Sequence, residues 1–286
     1  MKKQPTVTVI CLSYNHEKFV AEAIKSVLKQ TYPNIELIVV DDASEDDSQL
    51  IIKKKCLQHP EIQSVYLSEN VGNCQAFNMA FKLSKGEYVI DLAADDILFR
   101  TRIEEGVNTF QRYDHTYGVN FTNAELISDK GSFIKNFYPI DKTGGALDIV
   151  PEGDVFVGLI KRYFICPPTM MYRRQVLADL GGYDESLSYE DFDFWIRSSR
   201  SFKYCYTDQV LVSKRILSNS KSANQSKFAS TDTYSTYRVL KKAADLVNSK
   251  DEKRALKSRL LYESRKLIER GQLSFLPKYV SLYFNL

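Results

Sequence analysis

Two carboxylate pairs, Asp41-Asp42 and Asp95-Asp96, each close a short apolar run, Glu36–Val40 and Glu87–Leu92. Two carboxylates in one crevice can hold a divalent cation and accept hydrogen bonds from a ribose or a base edge. One Asp-Asp at a strand end also suits a solvated turn or a helix cap. Two pairs on the same edge of one sheet would converge, and convergence points to a ligand. The histidines, His16, His59 and His115, do not pair at zinc spacing, and the five cysteines contain no CxxC. A metal would therefore rest on carboxylates, which favours Mg²⁺ or Mn²⁺. Neither a G-x-G-x-x-G fingerprint nor a P-loop occurs, so phosphate charge would be met by metal.

The elements that must position these pairs alternate. Val7–Ser13 is a β-branched apolar run, read as a buried strand. Phe19, Val20, Ala23, Ile24, Val27 and Leu28 form one helical face, and Asn15 is the expected N-cap. Glu36–Val40 is the second strand. Ser44 and Asp47 resemble a capping box for a helix running to about Cys56. Ser64–Leu67, a helix after Asn70-Val71-Gly72-Asn73, and the strand Glu87–Leu92 complete the set. This alternation predicts an α/β fold, a Rossmann-like and mostly parallel sheet flanked by helices, with ligands beyond the carboxyl ends of its strands.

Composition agrees with a soluble globular chain: of 286 residues, 44% are hydrophobic and 26% charged, which excludes fibrous and disordered classes. The net charge is 39 − 36 = +3, unevenly placed. Residues 230–286 hold 12 basic and 6 acidic side chains, so the first 229 carry 3 − 6 = −3. No basic groove for nucleic acid is indicated.

Three blocks carry a family resemblance. VTVICLSYNHEKFVAEAIKSVLKQTYPNIELIVVDDASEDDS resembles the opening of a glycosyltransferase family 2 domain, the inverting transferases of GT-A fold. SENVGNCQAFNMAFKLSKGEYVIDLAADD resembles the stretch leading to that family's DxD-type motif. CPPTMMYRRQVLADLGGYDESLSYEDFDFWIR resembles its acceptor-side segment. The match spans about residues 6–215. It implies a catalytic domain over 1–217, with a nucleotide-sugar half to about 98 and an acceptor half over 99–217. A linker and basic helical extension would fill 218–286.

The resemblance also implies roles. Tyr14 matches the residue packing on the base, and Asp42 the carboxylate accepting from a base imide N–H, which suits uracil. Asn70 matches an asparagine near base and ribose. Leu12 borders the same pocket, where the family usually has proline. Asp96 matches the cation ligand, Mn²⁺ or Mg²⁺, with Asp95 near the ribose or sugar. Asp191 matches the general base. Glu190 reads either as support for Asp191 or as an exposed acid at a helix start. Trp195 reads either as a sugar platform or as one core stripe with Phe192 and Ile196. Ala93 and Leu217 stand where many members have a carboxylate and a histidine, and Phe77 stands in a basic residue's place. Lys214 or Arg215 is the expected replacement clamp on the diphosphate.

The chemistry needs these residue types. An inverting transfer is one in-line displacement, so a carboxylate must take the proton of the attacking hydroxyl. A cation then offsets the charge growing on the leaving nucleoside diphosphate. The expected donor is a UDP-sugar, and the acceptor a glycan or lipid-linked saccharide in cell-surface polysaccharide synthesis. A catalytically inactive binding subunit is the alternative. A receiver domain is excluded, because its acidic pair would follow the first strand. The tail, with a polar linker at Ser218–Ser235, helices over Thr236–Gly271 and a turn at Lys250–Lys253, reads as an anionic-membrane contact or as packing on the domain or a second copy. The expected location is cytoplasmic, at the inner membrane face.

Overall fold

The computed structural model describes residues 4–217 and 230–286. In chain order the first half runs β1 (Val7–Ser13), α1 (Val20–Leu28), β2 (Ile35–Asp41), α2 (Ser48–Gln58), β3 (Gln63–Tyr66), α3 (Asn73–Leu83) and β4 (Tyr88–Ala93). Next come β5 (Ile97–Leu98), α4 (Arg102–Arg112), β6 (Tyr117–Ile127), β7 (Phe133–Asn136), α5 (Phe156–Lys161), β8 (Met171–Arg173), α6 (Arg174–Leu180), α7 (Asp191–Ser199) and β9 (Lys203–Arg215). Helices α8 (Ser230–Leu246), α9 (Lys250–Glu269) and α10 (Leu276–Phe284) end the chain.

One sheet runs β3-β2-β1-β4-β8-β6-β9-β5, with β7 paired to β6. The first four strands are parallel, as the alternation predicts. β8 enters antiparallel between β4 and β6. β5 pairs antiparallel with β9, Ile97 opposite Ser213. That register, carried one residue outward, sets Asp96 beside Lys214.

Side chains of β1, β2 and β4 alternate between two cores, as the two-residue strand period requires. Ile10, Ile38, Val40 and Val89 face one core. Val9, Val39, Ile90 and Leu92 face the other. Val239, Leu240, Leu256, Leu260 and Tyr279 of the last three helices join the first core. The packing reading of the tail therefore holds for their inner faces.

Several local expectations are corrected. Asn15 is not an N-cap: it has φ 56°, and its side-chain oxygen accepts from Glu45 N–H at 2.8 Å. Helix α1 starts later, after a turn closed by Val20 N–H on the His16 carbonyl, 2.9 Å. Ser44 and Asp47 form no capping box, because the Ser44 hydroxyl is spent on Asp41, 2.6 Å. Residues Lys250–Lys253 are not a turn but the first turn of α9. Ser249 caps it in a reciprocal capping box with Glu252. Of the expected linker, 218–229 lie outside the described residues, and the remainder belongs to α8.

Candidate active site

The carboxyl ends of β1, β2 and β4 meet at one edge, where Ser13 pairs with Asp41 and Leu12 with Ala93. The four carboxylates there do not share one task. Asp41 is fully buried and holds its own turn, accepting from Ser44 N–H at 2.9 Å and from the Gln49 amide at 3.0 Å. Asp42 instead spans to the next loop. One of its oxygens accepts from Val71 N–H at 2.8 Å and the other from Gly72 N–H at 2.9 Å. Each oxygen keeps a further lone pair for a ligand.

Asn70 belongs to the same loop, and its amide donates to the Asp42 carbonyl at 3.2 Å. Gly72 has φ 85° and ψ 158°, a region essentially confined to glycine. Tyr14 follows β1 and is 43% exposed, as a residue that covers a flat ligand would be. Leu12, two residues earlier on β1, is half-buried. Ala43 follows Asp42 at φ 59°. Two non-glycine residues in the left-handed region, Asn15 and Ala43, thus flank this edge, the placement expected of strain held at a working site.

Asp95 and Asp96 turn the chain from β4 into β5. One Asp96 oxygen accepts from Arg215 N–H at 2.8 Å. Burial, and then the neighbouring Asp95, push the Asp96 carboxyl well above its ordinary range, while Lys214 and Arg215 oppose this. Two adjacent carboxylates offer hard oxygen donors of the kind that suit Mg²⁺ or Mn²⁺, whose other ligands would be phosphate oxygens and water.

Arg215 is not the diphosphate clamp. Its Nε donates to the Asp95 carbonyl at 3.1 Å, Nη1 to the Ser128 and Asp129 carbonyls, and Nη2 pairs with Glu22 at 2.8 Å. It is a strut that ties β9 to α1. Lys214 makes no ion pair among the described residues. Its positive field reaches Asp96, Asp191 and Cys166 together.

Asp191 is the first residue of α7, and one of its oxygens accepts from Phe192 N–H at 2.8 Å. Burial raises its pKa, and Phe192 N–H and Lys214 pull it back. Glu190 accepts from the side-chain amide of Asn73, the residue after Gly72. Trp195 is 1% exposed and donates its indole N–H to Met170 Sδ at 3.0 Å. Its ring lies in the core with Phe192 and Ile196, so it offers no sugar platform. Sequence reasoning singled out neither Asn73 nor the φ of Gly72. The visible signal was a glycine directly before a helix start.

This is the edge at which nucleotide-binding α/β sheets receive ligands, and the chain belongs to glycosyl transferase family 2. The description "Glycosyl transferase family 2" matches residues 8–181. An uncharacterized glycosyltransferase of Rickettsia typhi is 30% identical over 216 residues, 74% of this chain and 64% of that protein. The putative teichuronic acid biosynthesis glycosyltransferase TuaG of Bacillus subtilis is 28% identical over 240 residues, 84% of this chain and 90% of its own length. The chain spans less than two thirds of several curated relatives, down to 30% for one from Rickettsia bellii. Among solved structures, S. aureus TarS in complex with UDP-GlcNAc superposes at a TM-score of 0.74. It is 19% identical, and the match covers 97% of this chain and 79% of that chain, which is TarS 1-349. The mannosyltransferase PcManGT of Pyrobaculum calidifontis, in complex with GDP-Man and Mn²⁺, gives 0.64 at 18% identity, over 98% and 74%. These likenesses establish the GT-A fold.

Proposed function

We propose that this chain transfers a sugar, with inversion, from a nucleotide-diphospho-sugar to a hydroxyl of a glycan or lipid-linked saccharide. The donor is of UDP type, and the setting is cell-surface polysaccharide synthesis at the cytoplasmic face. The observation that carries the reading is that Asp96 and Asp191, distant in the chain, both fall within the field of Lys214. A diphosphate-side carboxylate and a base near one shared cation is the pairing that such a transfer requires. The named ligands of TarS and PcManGT support the donor class.

In this reading Tyr14 covers the base, and Asp42, held rigid by the two loop amides, accepts its imide N–H. The acceptor hydroxyl gives its proton to Asp191 as its oxygen bonds to the anomeric carbon. The bond from that carbon to the phosphate oxygen breaks, and its electron pair leaves with the nucleoside diphosphate. Asp95 and Asp96 would hold Mn²⁺ or Mg²⁺, which supplies Lewis-acid neutralisation of the leaving group. Lys214 adds a second positive charge on the same side. Domain limits of 1–217 and 218–286 belong to this proposal.

Replacing Asp191 by Asn tests the base. Nucleotide release should fall about 10²–10⁴-fold, with nucleotide affinity by titration calorimetry held within a few fold. Wild-type turnover in that variant rejects the assignment. The engagement of Arg215 keeps a second reading open, an inactive sugar-nucleotide-binding subunit. Slow hydrolysis of a nucleotide-sugar by the pure protein rules that reading out.

A further inference from the structure

Helix α9 has two unlike faces. Ala255, Leu256, Arg259, Leu260 and Leu267 are buried. Arg259 stacks its guanidinium 4.8 Å from the Phe192 ring, next to Asp191. The other face presents Lys250, Lys253, Arg254, Lys257 and Leu261, which with Tyr283 of α10 line a groove of about 480 Å³. The spacing i, i+3, i+4, i+7, i+11 is one helical stripe.

The charge on this stripe is largely uncompensated. Asp251 pairs with Arg254 at 3.1 Å. Glu252 turns away, to the helix cap and to Arg200 at 2.9 Å. Lys250, Lys253 and Lys257 make no ion pair among the described residues. Lys253 donates to the Leu286 carbonyl at 3.2 Å, and the Lys257 ammonium lies 5.1 Å from the Tyr283 ring centre. Apolar groups accompany these cations: Leu261, in the same groove lining, is 58% exposed, and Phe284, edge-on to the lining residue Tyr283, is 76% exposed.

We propose that this face docks on an anionic lipid bilayer. The lysines and Arg254 meet headgroup phosphates, while Leu261 and Phe284 enter the acyl boundary. Cations ringing protruding apolar side chains match a surface that is charged outside and apolar beneath. A nucleic-acid backbone would leave those side chains in water. Because Arg259 reaches Phe192 from the same helix, docking would hold the acceptor half close to the membrane. The inference goes beyond the transfer reaction and does not rest on it.

Sedimentation of the full chain with vesicles tests it. Binding is expected to phosphatidylcholine vesicles containing phosphatidylglycerol and not to phosphatidylcholine alone. Raising salt from about 0.1 M to about 1 M, which shortens the screening length from ~10 Å to ~3 Å, should release it. Each lysine near an anionic surface is worth roughly fivefold, so K250Q/K253Q/K257Q should weaken binding about a hundredfold. L261S/F284S should weaken it without changing the salt slope. All five side chains lie on the surface, and an unchanged far-UV spectrum checks the fold. Equal binding to neutral vesicles, or full anionic binding by the triple variant, overturns the proposal. So does a dimer seen by light scattering that the triple variant dissolves, without vesicle binding, since a second copy would then own the face. No sugar is transferred in this assay, so failure here leaves the transferase reading untouched, and the converse holds.

Discussion

The side-chain amide of Asn73 donates to the carboxylate of Glu190. This contact joins the loop that grips Asp42 to the residue preceding Asp191. The loop after β3 and the start of α7 are thereby registered against each other. Removing the amide by Asn73→Ala should let the start of α7 drift. Hydrogen bonds to charged groups are worth about 1.5–3 kcal/mol, so kcat should fall roughly 10- to 100-fold. Nucleotide affinity should stay nearly constant, and an equal loss in both would place Asn73 in the donor site instead.

Gly72 carries the second half of the Asp42 grip. At φ 85° and ψ 158° a side chain is strained, although no atom lies within 4 Å of where a Cβ would sit. The penalty of Gly72→Ala is thus backbone strain alone, about 1–3 kcal/mol. Relaxing it would pull the amide off Asp42. A lower urea midpoint together with a raised KM for the donor is expected. An unchanged KM would detach the grip from donor binding.

Burial raises Asp191 above the ordinary carboxylate pKa, and a base must be ionised to accept a proton. The acid limb of kcat/KM should therefore lie above the ordinary carboxylate range. Lys214 holds both Asp191 and Asp96 down, so Lys214→Ala should move that limb to still higher pH and reduce the maximal rate. A limb that stays in place would show that Lys214 does not act on the base.

Chelation separates the charges on the leaving-group side. If Asp95 and Asp96 hold the cation that offsets the departing diphosphate, EDTA should abolish transfer and Mn²⁺ or Mg²⁺ should restore it. Undiminished transfer after complete chelation would leave neutralisation to Lys214 alone.

Strands β1, β2 and β4 were legible because parallel strands buried on both faces must be largely continuous apolar runs, as in Ile35–Asp41 and Val7–Ser13. The pairs that hold Asp42 and Asp96 were visible at the ends of apolar runs, whereas the roles expected of Asp42, Asp96 and Asp191 came only from the family resemblance. The Arg215 strut was not legible, since its partners Glu22, Ser128 and Asp95 come from three remote segments. Nor was the true start of α1, where Asn15 has the composition of a cap but spends its side chain on the β2–α2 loop. Local propensity gave way there to a tertiary hydrogen bond.

Asp91 offers a test of stability rather than catalysis. It sits one pleat behind Ala93 on β4 and accepts from the Tyr183 hydroxyl at 3.0 Å. That hydroxyl lies 3.2 Å from the Tyr172 hydroxyl. Burial pushes its carboxyl up to about 7, with the Tyr183 bond opposing. In the unfolded chain it ionises near its ordinary 3.8. Between those values the folded state binds the extra proton, so stability falls as pH rises and levels off above 7. At ~1.4 kcal/mol per pH unit, the loss is on the order of a few kcal/mol. Asp91→Asn removes the ionisation while keeping an acceptor for Tyr183. Urea melts should show the variant gaining on the wild type as pH rises from 5 to 8. Parallel pH profiles for the two proteins would mean that Asp91 remains ionised in the fold, with its burial offset by a charge other than its own proton.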